Sequence, residues 1–244
     1  MERQLQRMNW LKVRELVPDR IDTAILPVGT VEGHGPSCIG TDNIIPENLA
    51  VDSAERLDAI VAPTIPFGVT KSLYRYPGGI TIEPETFGDY VRQTINSLYE
   101  TGFTNIFIFN GHGGNNSALK ETAYRFHREC ECRVCVVHWW ELCSDMTVEH
   151  FGHTGGHAGT DETAMVHAID QSLVDQSVYD KDLAYWYRRG ADVYPVPGSI
   201  LLYKEDEGYP EFDLEKDKEY YRQVVDTVSE FCHMVRDRWR RYAL

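Results

Sequence analysis

Nothing in the 244-residue chain approaches the roughly 20 consecutive apolar residues of a membrane-spanning helix. The opening MERQLQRMNW also lacks the apolar core of a secretory signal, so a cytoplasmic protein without membrane contacts is the expectation. Basic residues are scarce: 24 Lys and Arg stand against 38 Asp and Glu, a net charge of −14. Such a field repels phosphate backbones and argues against nucleic acid as a partner. Cysteine is sparse too, and six in a chain of this size do not make a disulfide framework. Cys132 and Cys135 spell C-x-x-C, but inside the apolar run CRVCVVHWW, which reads as a buried strand; free structural thiols are expected. Neither G-x-x-x-x-G-K-[ST] nor G-x-G-x-x-G occurs. Linkers and low-complexity segments are missing as well, which argues one domain over residues 1–244.

What is present is ordinary globular chemistry, with 42% hydrophobic and 25% charged residues, enough for a packed core. Near-continuous apolar runs at 23–28, 59–65, 105–109 and 133–138 read as strands buried on both faces, as in a parallel sheet. Between them lie helical patterns at 43–57, 86–99, 116–127 and 161–169, the alternation of βαβ units. A last helix over 215–242 carries Val224, Val228, Phe231, Val235 and Trp239 on one stripe and is expected to pack across a face of the sheet. Segments 74–87 and 190–208 read as excursions of the kind that border a site.

In an open parallel sheet the ligand site lies beyond the carboxyl ends of the strands. GTVEGHGPSCIGTDN follows the first strand and offers Glu32, His34 and Asp42; NGHGGNN follows the third and offers His112. GHTGGHAGTDET offers His157, Asp161 and Glu162 ahead of the next helix, with His153 at its start. Asp42 could simply cap a helix, Asp161 and Glu162 could simply favour a helix dipole, and the glycines could form a phosphate nest. None of these explains why histidines and carboxylates from separate loops converge on one sheet edge. Convergence of imidazole and carboxylate donors points to a metal site suited to zinc, manganese or iron. Two neighbouring ions, bridged by one carboxylate, would make a hydrolytic centre.

LPVGTVEGHGPSCIGTDNIIP resembles the first signature of the creatininase family, LPxGxxEQHGPHLPLGTD, and NGHGGNN and HAGTDET resemble its second and third motifs. A family-like Y-P-G turn stands at Tyr76, Pro77 and Gly78, and the likeness runs in order over residues 22–170. The resemblance implies an α/β fold, a three-layer α/β/α sandwich with a mostly parallel central sheet in a single domain, assembled as a homohexamer. It implies two divalent metal ions per subunit and hydrolysis of a non-peptide C–N bond in a small-molecule substrate, a cyclic amide or a formamide. Carried over motif by motif, Glu32 and His112 hold one metal, His34 and Glu162 the other, and Asp42 bridges them. His157 serves as acid/base, and Trp140 matches an active-site tryptophan. Glu162 rather than Asp161 is the match, because the family's carboxylate immediately precedes Thr.

The departures bear on substrate. The first loop is one residue shorter than the family's, with Gly33 and Ser37 where Gln and His are common. Gly114 stands where creatininase has a glutamate, and His153 where it has a second tryptophan, which points away from creatinine. Formamidopyrimidine-nucleotide deformylases and mycofactocin-type peptide-processing enzymes share the NGHGGN form and are the alternatives within the family. A non-catalytic phosphate or nucleotide binder is the alternative from another class. Lys71, Arg75, Trp139 and Trp140 are candidates for lining a pocket, while His127, His138, His150, His167 and His233 read as structural.

Overall fold

A computed structural model describes residues 1–188 and 190–243. Strands β1 (Thr23–Val28), β2 (Ala59–Val61), β3 (Asn105–Asn110) and β4 (Arg133–His138) pair in parallel in the order β2-β1-β3-β4. Thr23 is level with both Ala59 and Asn105, so β1 and its two neighbours start together. After β2 the chain crosses back to the other side of β1, which puts the topological switch point between β1 and β3, where ligands bind in such sheets.

Because side chains alternate across a strand, each strand feeds two cores. Ile25, Phe107, Phe109 and Val137 pack with α2 (Thr41–Ser53), α5 (Trp139–Leu142), α6 (Ser144–Phe151), α7 (Thr160–Ile169) and α8 (Leu214–Arg241). Ala24, Leu26, Val28, Ile106 and Ile108 pack with α1 (Trp10–Leu16), α3 (Pro84–Thr101) and α4 (Asn116–Glu129) on the other face. The result is the expected three-layer α/β/α domain. No helix among the described residues is long and apolar enough to cross a membrane.

Four elements differ from the sequence reading. Strand β2 ends at Val61 because Pro63 has no N–H to donate, although Ala62 and Ile65 still donate to Ile25 and Pro27 across the gap. Helix α2 begins at Thr41, behind Gly40, so Asp42 lies inside its first turn and is not its cap. Helix α8 lies against α2 and α7 rather than directly on the sheet, touching β3 through the Trp239 and Phe107 rings, 5.5 Å between centroids. Its buried face centres on Tyr220, Val224, Val228 and Cys232, leaving Phe231, Val235 and Trp239 half-buried at the margin. Finally, residues 190–208 are not only an excursion. They carry β7 (Ile200–Leu202), which pairs with β5 (Gly156–His157) and β6 (Ala184–Trp186) in a second small sheet.

Helix α7 carries Glu162 and is tied to α8 by a buried pair, His167 Nδ1 to Asp217 Oδ2 at 2.6 Å. Cys132 and Cys135 are free, and burial pushes both thiols up to about 12, which fits inert structural residues.

Candidate metal centre

The site is assembled where the first turn of α2 is wedged between the ends of β1 and β3. Gly29 and Gly111 follow those strands directly, and a Cβ at either would stand 2.1 Å from the Asp42 carbonyl oxygen. Only glycine permits that approach. It delivers the Asp42 side chain between the loop after β1, with Glu32 and His34, and the loop after β3, with His112. The last loop is shaped by two asparagines. Asn110 accepts from His112 N–H (3.1 Å) and donates to its carbonyl (2.8 Å), while Asn115 donates to the Gly29 carbonyl and accepts from Val69 N–H.

Glu32, His34, Asp42, His112 and Glu162 are all buried. Asp42 faces both histidines: Oδ1 is 2.9 Å from His34 Nε2, and Oδ2 is 2.9 Å from His112 Nδ1. Glu32 Oε1 stands 3.3 Å from His112 Nδ1, and Glu162 Oε2 stands 3.5 Å from His34 Nε2. Two overlapping donor sets result, Glu32/Asp42/His112 and His34/Asp42/Glu162, with Asp42 common to both and one of its oxygens turned to each; Glu32, His34 and His157 form a third group. Asp161 belongs to none of them. Its Oδ1 accepts from Gly156 N–H at 2.9 Å and steadies the strand that bears His157.

Each histidine is oriented from behind by a backbone carbonyl. His34 Nδ1 faces the Glu32 carbonyl (3.1 Å), His112 Nε2 the Val69 carbonyl (3.0 Å) and His157 Nε2 the Gly33 carbonyl (2.8 Å). A proton on the far nitrogen leaves the near one free to act as a ligand or base, as in metal-binding histidines. His34 Nε2 and Asp42 Oδ2 are buried yet lack a properly directed hydrogen bond, as expected where lone pairs aim at a cation rather than at a hydrogen-bond donor. A donor set of nitrogen and carboxylate oxygen with such orphaned atoms fits a divalent metal.

Without a cation the cluster is electrostatically strained. Burial pushes the His34 and His112 imidazoles down, but the surrounding carboxylates, led by Asp42 for His34 and Glu32 for His112, outweigh it and hold them up at about 10 and about 9. Burial drives Glu32 up to about 7 and Glu162 well above the ordinary carboxylate range. Asp42 goes the other way: burial would raise it, but His34 and His112 hold it well below.

A cavity of about 610 Å³ opens onto Glu32, His112, His157 and Glu162. Trp140 lines it, as do Lys71 and, from the 184–203 segment, Tyr187, Tyr194 and Tyr203. Trp139 does not: it turns the opposite way and is 2% exposed in the core. Arg75 does not line the cavity either but lies over the Tyr74 ring. His153 also faces away, toward Glu211 at 3.1 Å. Gly114 has no room for any side chain, because a Cβ there would stand 2.1 Å from the Val69 carbonyl oxygen and 2.4 Å from His112 Nε2. The phosphate-nest alternative is weakened, since the N–H groups of Gly111, His112 and Asn115 are engaged by Val28, Asn110 and His112.

Sequence reasoning missed Thr70, Asn110 and Asn115, which hold the loops and ligands. The asparagines belong to NGHGGNN itself and were within reach of a loop-geometry argument, whereas Thr70 sits in GVTKS with no local signal.

Comparison with known proteins fits this geometry. Residues 6–199 match the family described as Creatininase: Creatinine amidohydrolase. The chain is 28% identical to the creatinine amidohydrolase of Pseudomonas putida over 173 residues, 62% of this chain and 65% of that protein. It is 27% identical to the 3-dehydro-scyllo-inosose hydrolase of Thermotoga maritima, over 67% of this chain and 51% of that one. Against the mycofactocin precursor peptide peptidase of Mycolicibacterium smegmatis it is 27% identical, over 65% and 63%. The chain thus spans about half to two thirds of the length of these relatives. A mutant creatininase of Zn-Zn type shares the fold with a TM-score of 0.82 at 22% identity, over 94% of this chain and 96% of that one. With the switch-point site and its donor loops coming from the matched residues, the chain belongs to the creatininase family.

Proposed function

We propose that the protein is a binuclear metal-dependent amidohydrolase that cleaves a non-peptide C–N bond in a small molecule. The observation that carries this is Asp42 facing His34 with one oxygen and His112 with the other, while backbone carbonyls fix both rings. Glu32 Oε1 and His112 Nδ1 would hold one ion, His34 Nε2 and Glu162 the other, and Asp42 both. Bound divalent cations would polarise the substrate carbonyl and make a water nucleophilic near neutral pH.

The chain's own residues supply the proton movements. His157 donates Nε2–H to the Gly33 carbonyl, so Nδ1 faces the cluster as an acceptor, 3.4 Å from Glu32 Oε1. Burial holds this imidazole below its ordinary value, and with Nε2–H given to Gly33 the neutral ring presents Nδ1 as the base. It takes a proton from the attacking water as the C–O bond forms, then returns it to the leaving nitrogen as the C–N bond breaks. Trp140 forms part of the cavity wall. The cavity of about 610 Å³ has room for an amide bulkier than creatinine, a formamidopyrimidine nucleotide among them.

Metal analysis of the purified protein, followed by turnover assays on creatinine, a formamidopyrimidine ribonucleotide and short peptides, tests the reading. Two zinc, manganese or iron ions per chain and hydrolysis of creatinine or of the ribonucleotide is the expected result. Cleavage of the peptides alone would favour the peptide-processing alternative, and a chain that retains no metal would sink the reading. The homohexamer implied by the family likeness is read by sedimentation velocity.

Metal uptake must also compete with protons. The imidazoles of His34 and His112 are raised to about 10 and about 9 and are protonated at pH 7 in the metal-free fold, so loading releases about two protons from them. Glu162 and Glu32 add to that number. Apparent affinity therefore rises with pH until those values are passed. Zinc calorimetry in two buffers of different ionisation enthalpy counts the protons, and uptake without release would remove these histidines from the ligand set.

A further inference from the structure

Thr70 belongs to none of the donor sets, yet it is 1% exposed, and its hydroxyl donates to Glu32 Oε2. We propose that Thr70 is a positioning residue that restricts Glu32 to a single ligand oxygen, Oε1, and so keeps a coordination position of the neighbouring ion open for an incoming molecule. The inference rests on the metal reading above and deepens it.

The two oxygens of Glu32 have different surroundings. Oε1 faces the centre, 3.3 Å from His112 Nδ1 and 3.4 Å from His157 Nδ1, while Oε2 is turned to Thr70. A carboxylate with both oxygens free can close on a metal ion in bidentate fashion. One oxygen tied to a hydroxyl gives up that hydrogen bond if it does so, and in a buried site the loss is costly. A threonine hydroxyl is suited to this, because it donates without adding charge and its branched carbon stiffens the side chain.

The segment that carries Thr70 is itself anchored. Gly68 N–H donates to Thr30 Oγ1 (3.2 Å), Val69 N–H to Asn115 Oδ1 (2.9 Å) and Thr70 N–H to Thr81 Oγ1 (3.1 Å). Val69 then turns its carbonyl to His112 Nε2. Two consecutive residues thus orient Glu32 and His112, the two donors assigned to one ion. Gly114 makes room for this, since any side chain there would collide with the Val69 carbonyl. Catalytic metal sites differ from structural ones in keeping an open position, and this wedge is what maintains it.

The test uses the full chain stripped with chelator and loaded with Co²⁺, whose visible spectrum reports coordination, with azide as a probe of the open position. Native protein, Thr70→Ser, Thr70→Val and Thr70→Ala are compared after melting curves establish that each is folded. Native and Thr70→Ser are expected to give the same spectrum and azide affinities within about threefold of each other. Thr70→Val and Thr70→Ala keep two cobalt ions, lose visible intensity as an oxygen is added to the coordination shell, and bind azide about 10-fold more weakly or worse. Native-like spectra and azide binding in both apolar variants overturn the proposal. So does loss of a cobalt ion from both, because Glu32 would then need the hydroxyl in order to bind at all. Failure of the native chain to take up cobalt overturns the metal reading itself, and is thereby told apart from failure of the role given to Thr70.

Discussion

Replacing Asp42 with alanine is expected to empty both halves of the cluster at once. Any other ligand change removes a donor from one half, but Asp42 turns one oxygen to His34 and the other to His112, each at 2.9 Å. Purified Asp42→Ala should hold no tightly bound metal by elemental analysis, whereas Glu32→Ala and Glu162→Ala should each retain about one ion per chain. Excess metal should no longer raise the melting temperature, a response worth about 4 kcal/mol in a native site at a thousand times its Kd. The metal-free fold should suffer as well, since two buried imidazolium groups lose their common counter-charge. Breaking a buried ion pair from one side costs about 3–5 kcal/mol. Asp42→Asn separates side-chain volume from charge: it keeps the size of the side chain and one acceptor oxygen, but loses the negative charge and the second oxygen, so it should not restore two ions per chain. Asp42→Ala retaining two ions per chain would remove Asp42 from its bridging place.

The sheet was legible in the sequence because β1 and β3 are buried on both faces, so TAILPV and NIFIF stand out as apolar runs against amphipathic neighbours. RVCVVH stands out in the same way, but β4 is the edge strand and only Val137 in it is fully buried, which corrects the reading of it as buried on both faces. The donor loops were legible for a related reason. Functional loops follow strand ends, and Glu32, His34, Asp42 and His112 all come after β1 or β3. What escaped depends on contacts between distant residues. The small sheet consists of strands two or three residues long, too short for periodicity, and is fixed by the pairing of His157 with Leu201. The buried face of α8 was placed by its apolar residues alone, yet Arg236 lies within it because its guanidinium donates to the Leu57 carbonyl. Thr70 is an ordinary hydroxyl until the fold sets it beside Glu32, across 38 residues of chain.

The acidic composition takes on a different meaning at the site. Of 38 carboxylates, those of Glu32, Asp42 and Glu162 are the ones brought against His34 and His112. Two divalent cations among three carboxylates and neutral imidazoles would leave a positive centre inside a negative surface. An anionic small molecule is compatible with such a centre, and Lys71 on the cavity wall adds to the attraction.

His157→Ala is expected to lower turnover about 10²- to 10⁴-fold, the usual contribution of a positioned acid/base, while metal content stays at the native level. The geometry separates this role from that of a ligand. The His157 ring packs on His34 with centroids 4.1 Å apart, and Nδ1 stands 3.4 Å from Glu32 Oε1 and 4.0 Å from Glu162 Oε2. Those positions put Nδ1 between the two donor sets, where a proton can pass from one side of the reacting carbonyl to the other. Asp161 and the pairing with β7 hold the strand, and the Gly33 carbonyl holds the tautomer, so His157→Gln should keep the fold while losing the proton relay. Added imidazole should restore part of the rate to His157→Ala, because a small cavity would be left beside the substrate. The measurement is kcat on the best substrate of the amide screen, together with metals per chain for each variant. Loss of an ion in His157→Ala would make the residue a ligand, in keeping with the donor group that it forms with Glu32 and His34. Native metal content with native turnover would leave the leaving nitrogen to be protonated by another group, and Asp161 and Tyr203, which also line the cavity, would be the next to substitute.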